Sequence, residues 1–131
     1  MNDKKTILII DDDADLVEII RTVLEQNGYT VLAASNGTEG LTKVETQRPD
    51  LIILDVMMDT VTEGFQVSYK LKNNPKLKDI PILMLTSVSQ HTGYKFSKEK
   101  DGDFIAADEF CEKPIQPKDL LAKIGRLLGN K

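Results

Sequence analysis

The chain has 131 residues, with 17 Lys and Arg against 21 Asp and Glu, a formal net charge of -4, 40% hydrophobic and 29% charged residues. These values fit a single domain spanning 1–131 with one sizeable core, and they predict no second domain. The acidic balance and the lack of a basic stripe argue against nucleic acid or an anionic membrane as a generic partner, and no apolar run reaches signal or membrane-spanning length, so the expected location is cytoplasmic.

In chain order, Thr6 to Ile10 predicts the first strand. Leu16, Val17, Ile20, Val23 and Leu24 then recur at helical spacing, with Asp13 as N-cap and Gly28 as the stop. Tyr29 to Ala34 predicts strand two, Asn36-Gly37 a turn, and Leu41 and Val44 a short helix that ends before Pro49. Leu51 to Leu54 is a run of four apolar residues, the pattern of a strand buried on both faces. A third helix is expected to contain Phe65, Val67, Tyr69 and Leu71 and to end near Asn74-Pro75. Ile80 to Leu85 predicts strand four. Ser87 to Phe104 holds Gly93, Gly102 and many charges without a helical stripe, so a fourth helix there rests only on the alternation elsewhere. Ala107 to Cys111 predicts strand five. Pro117, the apolar face of Leu120, Leu121, Ile124, Leu127 and Leu128, and Gly129 mark a last helix. The lone cysteine, Cys111, reads as a small buried hydrophobe, since no disulfide or zinc spacing is present. Alternating strands and helices of this length predict a doubly wound α/β sheet.

The chemistry gathers at strand ends. Strand one ends on Asp11-Asp12-Asp13 and strand three on Asp55, and in open parallel sheets the reactive groups lie just beyond the carboxyl ends of the strands. If those strands are neighbours, three or four carboxylates converge, which is costly unless a cation neutralises them. Two carboxylates and a backbone carbonyl suit Mg²⁺, and Asp55 would then act as a nucleophile on phosphorus. Thr86 after strand four and Lys113 after strand five supply a donor and a positive charge for the transferred group. Singly, each has an ordinary reading: a helix cap, a strand-end threonine, a solvated lysine.

As a set, Ile-Ile-Asp11-Asp12, Leu-Asp55-Val-Met-Met, Met-Leu-Thr86-Ser87 and Glu112-Lys113-Pro114 resemble the receiver domain of two-component response regulators over nearly the whole chain. The resemblance implies a flavodoxin-like (βα)5 fold, a five-stranded parallel sheet of order 2-1-3-4-5 in a three-layer α/β/α sandwich. It implies that Asp55 accepts a phosphoryl group from a sensor histidine kinase or a His-phosphotransfer protein. Mg²⁺, with Mn²⁺ as an alternative, would be held by Asp11, Asp12, Asp55 and the backbone carbonyl of Met57. Thr86 and Lys113 would contact the phosphoryl group, and Phe110 would be the aromatic switch partner of Thr86. Such a chain is not expected to be an enzyme beyond its own phosphorylation and dephosphorylation. With no output domain expected, its output would be contact with a downstream protein, as a monomer or as a dimer formed on phosphorylation through the fourth helix, fifth strand and last helix.

Two departures stand out. Asp59 occupies a position that is usually proline in that family, and Gly64 falls one residue late; Asp59 reads as a solvated turn residue rather than a further ligand. Thr86 to Lys113 is also longer than usual, with Tyr94, Lys95, Phe96 and Asp101-Gly102-Asp103 in the added part, read either as a longer loop or as a docking surface. Met57 and Val88 sit where the family tunes hydrolysis of the acyl phosphate; neither can orient a water, which predicts a long-lived phosphorylated form. His91, the only histidine, reads as a surface residue. Two alternatives remain in play: a phosphohydrolase of the haloacid dehalogenase type with Asp11-x-Asp13, poorly matched because Asp15 stands where Thr or Val is expected, and a receiver-shaped binding module that never takes phosphate.

Overall fold

The computed structural model describes residues 5–55, 67, 69–87, 108–113 and 115–129. Five strands, β1 (Thr6–Ile10), β2 (Thr30–Ala34), β3 (Leu51–Asp55), β4 (Ile82–Ser87) and β5 (Glu109–Lys113), pair in parallel in the order β2-β1-β3-β4-β5. From β1 the chain adds β2 on one side and then returns to place β3 on the other. The order therefore reverses between β1 and β3, which is where crevices form in doubly wound sheets.

Helices cover both faces, as strands with buried runs require. One face, with Ile7, Ile9, Ile53, Leu85 and Cys111, packs against Val17, Ile20 and Leu24 of α1 (Ala14–Gln26) and against Leu120 and Ile124 of the C-terminal helix (Pro117–Leu127). The other, with Leu8, Ile10, Leu54 and Met84, packs against Val44 of α2 (Gly37–Gln47) and against Val67 and Leu71. Residues 67 and 69–72 are helical, in keeping with the third helix expected there, while Phe65 lies outside the described residues. The fourth helix expected within Ser87 to Phe104 also falls outside them, apart from Ser87 at the end of β4.

Local chemistry explains most boundaries. Asp13 caps α1, its Oδ1 accepting from the N–H groups of Asp15 and Leu16 at 3.1 and 3.2 Å. Gly28 follows the helix at φ +90°, a conformation that costs glycine little. Asn36-Gly37 is not a free turn as the sequence suggested: Asn36 is the N-cap of α2 and accepts from Glu39 N–H at 2.8 Å. Glu39 reaches back to accept from Ser35 N–H and Ser35 Oγ–H at 2.9 and 3.0 Å, a near-reciprocal capping arrangement. These bonds, led by that from the Ser35 N–H, hold the Glu39 carboxyl below its usual pKa.

Three strands begin later than expected: β2 at Thr30 rather than Tyr29, and β4 and β5 further along still. Ile80 is drawn into the preceding turn by its N–H bond to Leu77 O, and Pro81 has no N–H to give the ladder, so β4 starts at Ile82. β5 starts at Glu109 because Asp108 is the edge anchor: its Oδ2 accepts from Ile82 N–H and from Lys72 Nζ, both at 2.8 Å, and its own N–H donates to Ile82 O. At their far ends β4 runs on to Ser87 and β5 to Lys113, past the expected Leu85 and Cys111, so Thr86 and Lys113 lie within these strands rather than after them. Replacing Asp108 with Ala should leave the Ile82 N–H and the Lys72 ammonium short of an acceptor and lower stability by about 1–3 kcal/mol. Urea titration checks this, and an unchanged midpoint would contradict it.

Cys111 is buried in the α1 face, as expected. Burial, helped by the nearby Asp119 carboxylate, pushes its thiol from the usual 9.0 up to about 11. Its reaction with a thiol reagent at pH 8 should therefore be slow and limited by opening of the fold; a reaction as fast as that of the urea-unfolded chain would contradict the placement. On the same edge, burial raises the Glu109 carboxyl, but the bonds from Arg126 (2.7 Å) and the Phe110 N–H outweigh it and hold it below the usual range. That contribution to stability is present above the unfolded carboxyl pKa and is lost as pH falls through the lower folded one.

Candidate functional site at the switch point

Register brings the acids together. Ile10 pairs with Leu54, so the next residues, Asp11 and Asp55, stand abreast at the carboxyl ends of two central strands. Both are 2% exposed, whereas Asp12 is exposed. One carboxylate oxygen from each of Asp11, Asp12 and Asp55 lies within 4.8 Å of the others. The backbone fixes Asp11 twice: its N–H donates to Ala34 O at 3.0 Å, and its Oδ1 accepts from Asp13 N–H at 2.9 Å. The three consecutive aspartates thus divide the work, with 11 and 12 in the cluster and 13 capping α1.

A cleft of about 270 Å³ opens beside this cluster, lined by Asp11, Asp12, Ala14, Val17, Ser35 and Glu39 among others. Ser35 and Glu39 were not singled out from sequence as site residues, although Asn36-x-x-Glu39 carries the capping signature that would have placed them. Across the sheet, Asp55 pairs with Leu85, Thr86 with Glu112 and Ser87 with Lys113. The backbones of Thr86 and Lys113 therefore sit one and two steps beyond the level of Asp55, along the same edge. Phe110 is half-buried, pairs with Met84 and packs against the α2 face of the core. Met57, Val88, Asp59, Gly64 and His91 lie outside the described residues.

The family model for the response regulator receiver domain matches residues 7–125. The chain belongs to that family. Its relatives include the alkaline phosphatase synthesis transcriptional regulatory protein PhoP of Bacillus subtilis, 36% identical across 95% of this chain and 48% of that protein. The phosphate regulon transcriptional regulatory protein PhoB of Pseudomonas aeruginosa is also 36% identical, across 95% of this chain and 52% of its own length. The receiver thus spans about half the length of the curated relatives it matches. Among solved structures it resembles the chemotaxis response regulator CheY4 of Vibrio cholerae, with a TM-score of 0.79 and 31% identity over 95% of this chain and 98% of that one. The receiver's sheet order, 2-1-3-4-5, is the one that the sequence resemblance implied. Among its described residues no helix is long and apolar enough to cross a membrane.

Proposed function

We propose that this receiver accepts a phosphoryl group on Asp55 from a phosphohistidine of a sensor kinase or phosphotransfer protein, and that the change in its surface is read by a downstream protein. The observation that carries the reading is the convergence of the Asp11, Asp12 and Asp55 carboxylates within 4.8 Å at the switch point. The donor set is all oxygen and anionic, which suits a hard divalent ion such as Mg²⁺. Asp11, Asp12, Asp55 and the Met57 backbone carbonyl would hold Mg²⁺, or Mn²⁺ in its place. When bound, the ion offsets the carboxylates and allows an anionic phosphoryl group to approach.

In the transfer, an Asp55 carboxylate oxygen forms a bond to phosphorus as the bond from phosphorus to the donor imidazole nitrogen breaks. The nitrogen keeps the electron pair and takes a proton. Lys113 and the Thr86 hydroxyl serve the equatorial oxygens. Three carboxylates contribute about -3, against +2 from the ion and +1 from Lys113; phosphorylation replaces one carboxylate charge by about -1.5 to -2 and adds strong acceptors. Thr86 is drawn toward them and Phe110, already packed against the core beside Met84, moves into the vacated space. The altered surface spans β4, β5 and the C-terminal helix. Met57 and Val88 offer no hydrogen bond to an attacking water, so the acyl phosphate is long-lived. The receiver catalyses only its own phosphorylation and dephosphorylation. Its output is contact with a downstream protein, made as a monomer or as a dimer through that same surface.

Incubation with acetyl phosphate and Mg²⁺ tests the reading by intact mass. The expected product carries one phosphoryl group, and a chelator prevents its formation. No mass gain, or a gain indifferent to the chelator, would overturn it.

A further inference from the structure

We infer that Gly40 is a positioning residue for the cation-holding carboxylates, because its missing side chain lets Ile10, and with it Asp11, sit where the cluster requires. The inference rests on the reading of Asp11, Asp12 and Asp55 as a divalent cation site. Gly40 lies inside α2, where no turn demands a glycine and where glycine is intrinsically unfavourable. Its reason is packing. A Cβ at position 40 would overlap Ile10 Cδ1 and stand 2.8 Å from Cγ1 and 3.2 Å from Cγ2.

Ile10 has little room to yield. It is fully buried and is flanked in register by Ala34 on β2 and Leu54 on β3. Atoms of both its branches face the helix, so turning the stiff β-branched side chain exchanges one crowded contact for another. Two routes of relief remain, and both reach the site. If the end of β1 moves, it carries Asp11, the next residue. If α2 lifts, it pulls on the Asn36 cap and on Ser35, which Glu39 holds, and so on Ala34, whose carbonyl accepts the Asp11 N–H at 3.0 Å. Ion–oxygen bonds of about 2.1 Å tolerate little displacement of a ligand, so crowding at position 40 weakens cation affinity as well as packing.

The test is Mn²⁺ binding followed by electron paramagnetic resonance on the full chain, at a temperature where circular dichroism reports each variant folded. Gly40→Ala is expected to bind Mn²⁺ about fivefold more weakly than wild type, a smaller effect than loss of a direct partner of a ligand. Ile10→Val, which loosens the contact instead of crowding it, should cost about threefold, and Ile10→Val with Gly40→Ala should return to within about twofold of wild type because the two changes compensate. A Gly40→Ala chain that melts earlier yet binds Mn²⁺ like wild type would overturn the proposal and leave Gly40 a packing residue. If Gly40→Ala does not fold, the decision passes to Ile10→Val, whose unchanged affinity would overturn it equally. Absence of Mn²⁺ binding by wild type would instead overturn the cation-site reading itself, and this proposal with it.

Discussion

Asp55→Asn is expected to abolish phosphoryl transfer while preserving the fold. Asp55 closes β3 at 2% exposure, abreast of Asp11 and paired with Leu85. Asparagine matches its shape and can keep an acceptor oxygen in place, so the strand has no steric reason to shift. What is lost is the carboxylate: an amide oxygen is a poor nucleophile, its nitrogen lone pair is delocalised, and one of the three clustered negative charges disappears. Removing a nucleophile of this kind costs on the order of 10³-fold or more. Intact mass after acetyl phosphate treatment measures it directly. Labelling of Asp55→Asn to the extent of wild type would place the acceptor elsewhere, as the phosphohydrolase reading with Asp11 as nucleophile requires. That reading already sits poorly with the structure, since Asp13, its second aspartate, is engaged as the cap of α1.

Asp11→Asn is expected to raise stability in metal-free buffer and to remove the response to Mg²⁺. Carboxylate oxygens that lie within 4.8 Å of one another repel, by about 3 kcal/mol per ionised pair at that limit and an effective dielectric constant of 20. Asp11 and Asp55 feel this most, being buried, whereas solvent discounts the share of exposed Asp12. The asparagine oxygen can still accept from Asp13 N–H, which keeps the start of α1 in place. A gain of about 1–3 kcal/mol with chelator present is the expected net effect after such losses. Wild type should be stabilised by Mg²⁺ in proportion to site occupancy, and Asp11→Asn should not. Thermal melts with chelator and with Mg²⁺ check both halves. A variant less stable than wild type without metal, yet equally responsive to Mg²⁺, would show that the cluster is not a cation site.

The central half of this fold could be read from the chain because its chemistry is unmixed. Ile7 to Ile10 and Leu51 to Leu54 are fully buried runs, each ending on an acid, and burial on both faces leaves a parallel sheet as their natural setting. That those acids become neighbours depends on strand order, which no residue encodes locally; the resemblance supplied it and the register bears it out. Errors arose where a local signal had two meanings. Asn36-Gly37 has the form of a turn but serves as a helix start because Glu39 three residues on completes the cap. Ile80 looks like the first residue of a strand, yet Pro81 breaks the donor pattern and Asp108, far along the chain, decides where β4 begins. Lys72 and Gly40 passed unnoticed for the same reason, since one matters through Asp108 and the other through Ile10.

The most direct measurement reduces the phosphorylated wild-type protein with borohydride, which converts an acyl phosphate to the alcohol, and sequences the peptides by mass spectrometry. The account predicts homoserine at position 55 and nowhere else. Homoserine at position 11, or phosphate remaining on a residue that borohydride does not reduce, would contradict it.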